Sequence, residues 1–493
     1  MIAPIQLQVI GAALRSIAEE MGAVLIRSSF SANIKERRDC STALFDERGR
    51  MIAQAEHIPV HLGAMPDAVA AVMRLGLEPG RVAILNDPYT GGTHLPDVTL
   101  VSRTVLGFAV SRAHHADVGG IEPASLPAFS RTLAEEGVIL PPQLLTDDVL
   151  ERFVEVTRQP EERRGDLRAQ LAAHRLAERR LEELCARRGR GRVAAAMDEL
   201  YAYSERMVRA ALAALPDGRG QSEDVVEALE GDLPIRCTVE IAGDEVRIDF
   251  TGTAPQYDGN LNCPLAVTKS ASYFVVRCLT EPDLPASGGA FAPVTVTAPE
   301  GCLVNARSPA AVVAGNTETS SRIVDVVFAA FGRLVPVPAA GEGTMNNLAF
   351  GNDEFTYYET VGGGQGACPD ADGPSAVHVA MSNTLATPAE AIELEYPLRV
   401  ERWALRLGSG GAGEHRGGEG VVRELRVLED CRLSVLAERR RHAPSGRAGG
   451  EDGARGRTLV NGEEQPPKLT RQLHAGDVVR VETPGGGGHG GAE

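Results

Sequence analysis

The sequence predicts an α+β protein, mixed α/β overall and built from several structural units. Its 493 residues exceed what one hydrophobic core usually supports. Helix-like periodicity and strand-like alternation occupy separate blocks of the chain. These blocks give four units: an N-terminal unit with a β-hairpin and a metal site (1–145), a charged helical segment (146–220), a central mixed α/β region (221–397) and a C-terminal β-rich module with a glycine-rich tail (398–493).

The N-terminal unit opens with a predicted amphipathic helix. The stretch 5–30 keeps a helical period across Glu19 and Glu20 and lacks the basic start of a secretory signal. No part of the chain is long and apolar enough to cross a bilayer. We therefore expect a cytoplasmic protein.

A β-hairpin is predicted further along this unit. Two runs rich in apolar and β-branched residues, VTLVSRTV and FAV, flank Leu106-Gly107, which can serve as a tight turn. Pairing across that turn places Asp97 opposite Ala116. Asp97 and His114 are then diagonal neighbours on one face, whereas His115 points to the other face. A one-residue slip of the register would exchange the two histidines.

Two imidazoles and one carboxylate should meet at one end of this hairpin. His94 lies three residues before Asp97, and Pro96 bends the chain between them. Two neutral imidazoles and a carboxylate suit Mn(II), Fe(II) or Zn(II) and leave coordination positions open for water or substrate. The sequence thus predicts a metal site formed by His94, Asp97 and His114.

Other polar residues lie near these motifs in the sequence. We expect them to hydrogen-bond the ligands or to face solvent rather than to bind the metal. They are Asp39, Glu56, His57, His61, Asp87 and Glu122.

The helical segment and the regions after it carry weaker signals. In 146–220 acidic and basic side chains interleave, which is typical of a solvated or subunit-facing helix pair. Residues 321–331 are predicted as a buried helix, with Asn316 and Glu318 as capping groups. The segment 336–388 is predicted as loops of the kind that build pockets, followed by strands and glycine-rich turns.

Composition excludes several classes of function. A formal charge of −17 at pH 7 would be repelled by nucleic acids and anionic membranes, so neither is expected as a partner. Eight cysteines without a CxxC pair indicate neither a zinc ribbon nor a disulfide framework. The tail PGGGGHGG matches GxGxxG only through its glycine content, and no GxxxxGK[ST] motif for ATP occurs.

Six separated motifs resemble one known family, the hydantoinase B/oxoprolinase family, over essentially the whole chain. That family includes the B-type components of ATP-dependent hydantoinases, the C-terminal half of 5-oxoprolinase, related lactamases and the alpha subunit of acetone carboxylase. The motifs are SANIKERRDCSTALFD (31–46), AEHIPVHLGAMP (55–66), NDPYTGGTHLPD (86–97), HHADVGG (114–120), SGGAGEHRGGEGVVRE (409–424) and ETPGGGGHG (482–490).

The resemblance implies a hydrolase acting on carbon–nitrogen bonds of cyclic amides. In such relatives an A-type partner subunit phosphorylates the ring carbonyl with ATP, so this chain is expected to act as the B-type component of a hetero-oligomer. In relatives of the acetone carboxylase kind, manganese is held at positions matching His94, Asp97 and His114, and zinc or iron remain alternatives. Candidates for proton transfer are Asp39, Glu56, His57, His115 and Asp117.

Two other functions fit the same motifs. An alpha-type subunit of a ketone carboxylase would use the metal to stabilise an enolate awaiting CO2. A non-catalytic scaffold would keep the fold without stoichiometric metal. Ring substrate, stereochemistry, metal identity and stoichiometry of the complex are not encoded in any motif.

Overall fold

The computed structural model describes residues 2–280 and 284–491, and it confirms the predicted α+β class with four sheets in that part of the chain. No described helix has the length and apolar character needed to span a membrane. The helices are α1 Pro4–Ser28, α2 Ala32–Lys35, α3 Met65–Met73, α4 Leu133–Glu136, α5 Asp147–Glu155, α6 Pro160–Arg188, α7 Arg190–Ala213, α8 Leu265–Cys278, α9 Ser320–Phe331 and α10 Ala389–Glu395.

The strands among the described residues form antiparallel ladders apart from one parallel pair, β9 with β10. They are β1 Cys40–Asp46, β2 Met51–Glu56, β3 Val82–Leu85, β4 Asp97–Thr104, β5 Gly107–His114, β6 Gln143–Leu144, β7 Gly218–Ala228, β8 Gly231–Ala242, β9 Glu245–Asp249, β10 Val294–Thr297, β11 Asn347–Gly351, β12 Thr356–Glu359, β13 Leu398–Arg406, β14 Gly420–Val427, β15 Cys431–Leu436, β16 Arg457–Val460, β17 Glu463–Glu464, β18 Lys468–Leu473 and β19 Val478–Glu482.

The first sheet carries the predicted hairpin, in the order β2-β1-β5-β4-β3-β6. Apolar side chains recur at helical spacing along α1, among them Leu14, Met21 and Leu25, and all three are fully buried. Together with side chains of α6 and α7 they form one core against β1, β2 and β5, while α3 packs in a separate core of the same sheet. The amphipathic helix α1 therefore packs against one face of this sheet.

The hairpin turns one residue earlier than predicted. Val105-Leu106 form the two-residue loop, and Thr104 pairs with Gly107. Leu106 is anchored in the core beneath α1. Gly107 belongs to β5, where its φ is +145° and a Cβ would lie 2.2 Å from the carbonyl oxygen of Phe45. The predicted Leu106-Gly107 turn is wrong because this glycine serves close strand packing instead.

The corrected register preserves the predicted metal ligands. Asp97 lies directly opposite His114, not opposite Ala116. The pairing partner has moved by two residues, and side chains two apart point to the same face of a strand. The carboxylate therefore still faces the imidazole of His114.

The second sheet, β10-β9-β8-β7, shares a core with α8 and α9. A π-helical turn, Gly315–Thr319, runs directly into α9, and Asn316 and Glu318 lie inside it. Their predicted capping role is wrong. The N–H groups of 312–313, where the helical run begins, donate instead to the carboxylate of Glu136.

The C-terminal part contains the sheets β12-β11-β15-β18 and β13-β14-β19-β16-β17. β11 and β12 come from 336–388, which the sequence predicts as loops. The glycine tail is buried at 484–488. There the Gly486 N–H donates to Gly418, and a Cβ on Gly486 would lie 2.0 Å from the carbonyl oxygen of Gln365. The tail therefore packs in the interior of the protein. The boundaries of the four predicted units remain predictions.

Candidate metal centre

Three side chains converge at the open end of the β4–β5 hairpin. Asp97 begins β4, His114 ends β5, and His94 approaches from the preceding loop. One donor atom from each of the three lies within 4.8 Å of the other two. All three residues are buried, at 1 to 3% exposure. The structure therefore brings together the three ligands predicted from the sequence.

The distances between these donor atoms fit a single cation. His94 Nε2 and His114 Nδ1 lie 3.3 and 3.5 Å from Asp97 Oδ1 and 3.2 Å from each other. Metal–donor bonds of about 2.1 Å at angles of roughly 90–110° separate neighbouring donors by about 3.0–3.4 Å. Two imidazole nitrogens and one carboxylate oxygen at this spacing form a donor set for a divalent metal.

The carboxylate of Asp97 is held in its charged form. Burial acts against that charge, but the imidazoles of His94 and His61 and a hydrogen bond from His114 outweigh it, and the pKa of Asp97 lies well below its usual range. A carboxylate that is already ionised needs no proton loss before it can bind a cation.

The second oxygen of Asp97 is held by groups that are not predicted ligands. His61 Nε2 lies 3.4 Å from Asp97 Oδ2, and His61 Nδ1 contacts Ser41 Oγ at 2.9 Å. The Thr93 hydroxyl donates to the same Oδ2. Asp97 Oδ1 therefore faces His94 and His114. His61 is among the residues that the sequence predicts either to contact a ligand or to face solvent, and the structure places it against Asp97. Thr93 is not predicted, although it lies inside the motif 86–97.

A tyrosine from a distant strand orients His114. The ring of Tyr358 in β12 stacks on that imidazole, with centroids 4.9 Å apart and planes inclined by 13°. The Tyr358 hydroxyl donates to Asn347 Oδ1 at 2.7 Å, and Asn347 Nδ2 donates to Glu318 Oε1 at 2.6 Å. Burial raises the pKa of Glu318 to about 7. No local pattern around Tyr358 indicates this role.

The ligands open into a small cavity. Its free space is about 20 Å³, which is room for about one water molecule. Walls come from segments that are far apart in the sequence. The lining residues are Asp39, Ile58, Val60, His61, His94, Asp97, His114, Asn316, Thr317, Met345, Tyr358, Thr360, Met381, Ser382 and Thr384.

One wall is a cluster of hydroxyl groups, Thr360, Ser382 and Thr384. His378 contacts Ser382 Oγ at 2.8 Å and Thr384 Oγ1 at 3.1 Å. Burial, reinforced by the charge of Arg37, lowers the pKa of His378 to about 3, so the imidazole is neutral. Arg37 in turn donates to both threonines. These contacts fix the hydroxyl cluster opposite the metal ligands.

The five residues predicted for proton transfer lie in different surroundings. Asp39 is buried, lines the cavity and accepts the backbone N–H of His114 on its carbonyl oxygen at 3.0 Å. His57 lies near the α1 backbone at Gly22, and burial lowers its pKa. The side chain of Glu56 lies outside the described part of the chain. Of the four whose side chains are described, Asp39 is the one that lines the cavity.

His115 and Asp117 are directed elsewhere. His115 Nε2 contacts Gln170 Oε1 in α6 at 3.1 Å, and burial lowers the pKa of His115 to about 4. Asp117 accepts hydrogen bonds from the guanidinium of Arg158 at 2.9 Å and from the backbone N–H of Gly119. Both side chains point away from the ligands, because side chains alternate in direction along the chain after β5. His115 therefore packs against α6, and Asp117 stabilises the loop that follows the strand.

Asp87 and Glu122 also lie away from the ligands. Asp87 accepts the backbone N–H of Tyr89 at 2.9 Å, and Glu122 forms an ion pair with Arg432 in β15.

Comparisons with known proteins agree with this architecture. A family model described as Hydantoinase B/oxoprolinase matches residues 3–492. 5-oxoprolinase 1 of Arabidopsis thaliana is 38% identical over 99% of this chain, which spans 42% of that protein's length. A putative B-type subunit of a D-/L-hydantoinase from Pseudomonas sp. (strain NS671) is 32% identical over 99% of this chain and 90% of that protein.

A solved structure shares the whole fold. The ATP-dependent caprolactamase from Pseudomonas jessenii superimposes with a TM-score of 0.92 at 29% identity, covering 100% of this chain and 92% of that one.

Proposed function

Because this chain belongs to the hydantoinase B/oxoprolinase family, we propose that it is the metal-dependent B-type component of an ATP-dependent cyclic amidohydrolase. Its substrate would be a ring amide, such as a hydantoin, 5-oxoproline or a lactam, whose carbonyl oxygen an A-type partner subunit has phosphorylated. Relatives named 5-oxoprolinase and caprolactamase support hydrolase chemistry. The convergence of His94, Asp97 and His114 is the observation that carries the proposal.

The chain's own residues would divide the work at this site. His94, His114 and Asp97 Oδ1 hold the divalent ion, while His61 and Thr93 keep Asp97 Oδ2 in place. When bound, the metal supplies polarisation of the substrate oxygen and a lowered pKa of water. Asp39, the predicted carboxylate at the cavity, would accept the proton of the attacking water. One water would add to the activated carbon, and the adduct would break the ring C–N bond, with a proton passing to the departing nitrogen, to leave an amine and an acyl phosphate. A second water would then hydrolyse the acyl phosphate to a carboxylate and inorganic phosphate.

Partner and cofactor follow from the same proposal. ATP would be used by the A-type partner, since this sequence has no GxxxxGK[ST] motif. Manganese is our first choice of metal, with zinc or iron as alternatives, because imidazole and carboxylate donors accept all three. We expect a cytoplasmic hetero-oligomer that binds neither nucleic acid nor membranes.

The test compares two reactions of the complex with its A-type partner. ATP-dependent ring opening of hydantoin, 5-oxoproline and caprolactam is measured beside ATP-dependent fixation of bicarbonate into acetone. The variants His94→Ala and Asp97→Ala should lose stoichiometric metal by elemental analysis, and ring opening with it. His474→Ala is the matched control, because that histidine is exposed and its imidazole pairs with Asp430, away from the cavity.

Each alternative has its own signature. Carboxylation of acetone without ring opening would replace the hydrolase proposal with a ketone carboxylase. Wild-type protein without stoichiometric metal, together with full activity of the Asp97→Ala complex, would assign the chain a scaffolding role instead.

A further inference from the structure

The first half of α1 presents an uncharged face to solvent. Residues 4–14 contain no ionisable side chain. Ile5 and Val9, about one helical turn apart, are 75% and 44% exposed. On the second half of the helix, by contrast, exposed positions include Arg15 and Glu19. A solvated helix face normally carries charged residues, so this face is suited to contact with another molecule. We call its exposed residues the α1 ridge: Pro4, Ile5, Gln6, Gln8, Val9 and Ala12.

Two cavities flank the α1 ridge on opposite sides of the helix. A cavity of about 490 Å³ lies between α1, β2 and α7. A cavity of about 120 Å³ lies between α1 and the turn from α6 to α7. Helical spacing separates the two, because positions 4, 8 and 11 of α1 face the larger cavity and positions 5, 6 and 9 face the smaller one. Both cavities offer recesses beside the ridge for side chains of a partner.

Three arginines without an acidic partner surround the ridge. Arg15 lies at the larger cavity, and Arg188 and Arg192 lie at the smaller one. All three are exposed, and within residues 2–280 and 284–491 none of them has an ion pair or a side-chain hydrogen bond. By contrast, the neighbouring Arg187 and Arg190 pair with acidic side chains. Positive charge around this one face is therefore free to pair with another molecule, on a chain whose formal charge is −17.

We infer that the α1 ridge and its three arginines bind the A-type partner subunit, through a segment of that subunit with an apolar centre and an acidic rim. This inference rests on the proposed function, which requires such a subunit. Protein interfaces combine an apolar, desolvated core with a polar rim, and arginine is enriched in them. Here the ridge is the core, and the arginines on both sides of it form the rim. Carboxylates of the partner pair with Arg15, Arg188 and Arg192.

Charge disfavours other occupants of this face. In a two-fold dimer of this chain the same patch would face itself, so arginine would lie opposite arginine. Nucleic acids and anionic membranes attract arginine, but the charge of −17 on the whole chain repels both. A subunit with acidic residues around an apolar segment meets neither penalty.

The experiment measures binding of the full chain to its A-type partner by surface plasmon resonance, at low and at high salt. Ile5→Asp places a charge in the ridge, and its matched control is Leu394→Asp, which changes a leucine of 85% exposure on α10. Arg188→Glu reverses one rim charge. Arg74→Glu is its control, because both arginines are exposed at the C-terminal end of a helix. Metal content, melting temperature and self-association of each isolated chain are measured in parallel.

We expect Ile5→Asp to weaken binding to the partner by at least about 30-fold. Arg188→Glu should weaken it by about 5- to 10-fold at low salt and by less at high salt, because salt screens exposed charges. Both controls should bind as wild type does. Metal content and melting temperature should stay at the wild-type level, because Ile5 is exposed and an acidic residue in the first turn of a helix is favourable. At saturating partner, the Ile5→Asp complex should regain the wild-type kcat, since the ridge is not part of the metal site.

Other results overturn the inference. If Ile5→Asp and Arg188→Glu bind the partner as tightly as wild type does, the ridge is not the docking site and the proposed function still stands. Self-association that Ile5→Asp abolishes would assign the face to a second copy of this chain. Cosedimentation with vesicles of phosphatidylcholine and phosphatidylglycerol that Ile5→Asp abolishes would assign it to a membrane. If the wild-type chain binds no A-type partner, the partner of the proposed function is wrong and this inference fails with it.

Discussion

The aromatic ring of Tyr358 should hold His114 in its metal-binding orientation. The two rings stack with centroids 4.9 Å apart, and the tyrosine hydroxyl donates separately to Asn347. A stack of this kind contributes about 0.5–1.5 kcal/mol, which corresponds to roughly 2- to 12-fold in affinity. Tyr358→Leu should therefore weaken metal binding by that factor, whereas Tyr358→Phe keeps the ring and should bind metal as wild type does.

The same pair of variants separates orientation from stability. In the Tyr358→Phe variant, Asn347 Oδ1 stays buried without its hydroxyl donor. The free energy of unfolding of this variant should therefore be about 1–3 kcal/mol lower than that of wild type. Metal affinity is measured by competition with a chelator, and stability by urea unfolding of the metal-free chain. If Tyr358→Leu retained wild-type metal affinity, or if Tyr358→Phe lost as much affinity as Tyr358→Leu, the stacking argument would be refuted.

Three further substitutions test contacts outside the cavity. Asp117→Asn should lower the free energy of unfolding by about 1–3 kcal/mol with unchanged metal content, and loss of metal would place this residue nearer the site than its contacts indicate. His174 is buried between two serine hydroxyls, and burial lowers its pKa to about 3. The unfolded chain then binds one proton more as the pH falls from about 6.5 to 3, so stability is lost over that window. His174→Gln should remove this loss, and identical pH profiles of urea unfolding would contradict the assignment. Gly486→Ala should cost about 3 kcal/mol, because its Cβ would lie 2.0 Å from the carbonyl oxygen of Gln365. Gly491→Ala, where nothing lies within 4 Å, is its control in the same assay.

Local patterns are sufficient where the relevant geometry is local. Side-chain alternation places Asp97 and His114 on one face, and the short link from His94 keeps the third ligand near. The predicted turn lies one residue too late, which shifts the cross-strand partner of Asp97 by two residues. Side chains two residues apart point to the same face of a strand, so Asp97 and His114 still share a face. An odd error would have selected His115, which the structure directs toward α6.

Local sequence patterns do not predict the role of a residue when that role depends on contacts with distant segments. Asn316 and Glu318 resemble helix caps in the sequence, but the helix begins earlier, at backbone groups bound by Glu136. The helical register of that turn depends on contacts from other segments. A capping pattern in the sequence does not reveal which acceptor binds the first N–H groups of the helix. The folded chain shows that this acceptor is Glu136 and that Asn316 lines the cavity instead.

The sequence by itself determined the fold class and the three candidate ligands, because periodicity and short-range spacing act within one element or one hairpin. The family followed from the resemblance of its motifs. Tertiary structure decided which groups surround the ligands. His61 and Tyr358 reach the ligands from two separate segments, and the glycine tail packs inside the molecule rather than closing a turn. The physical reason is that contacts between distant segments depend on how the sheets and helices pack, and a single sequence does not state that packing.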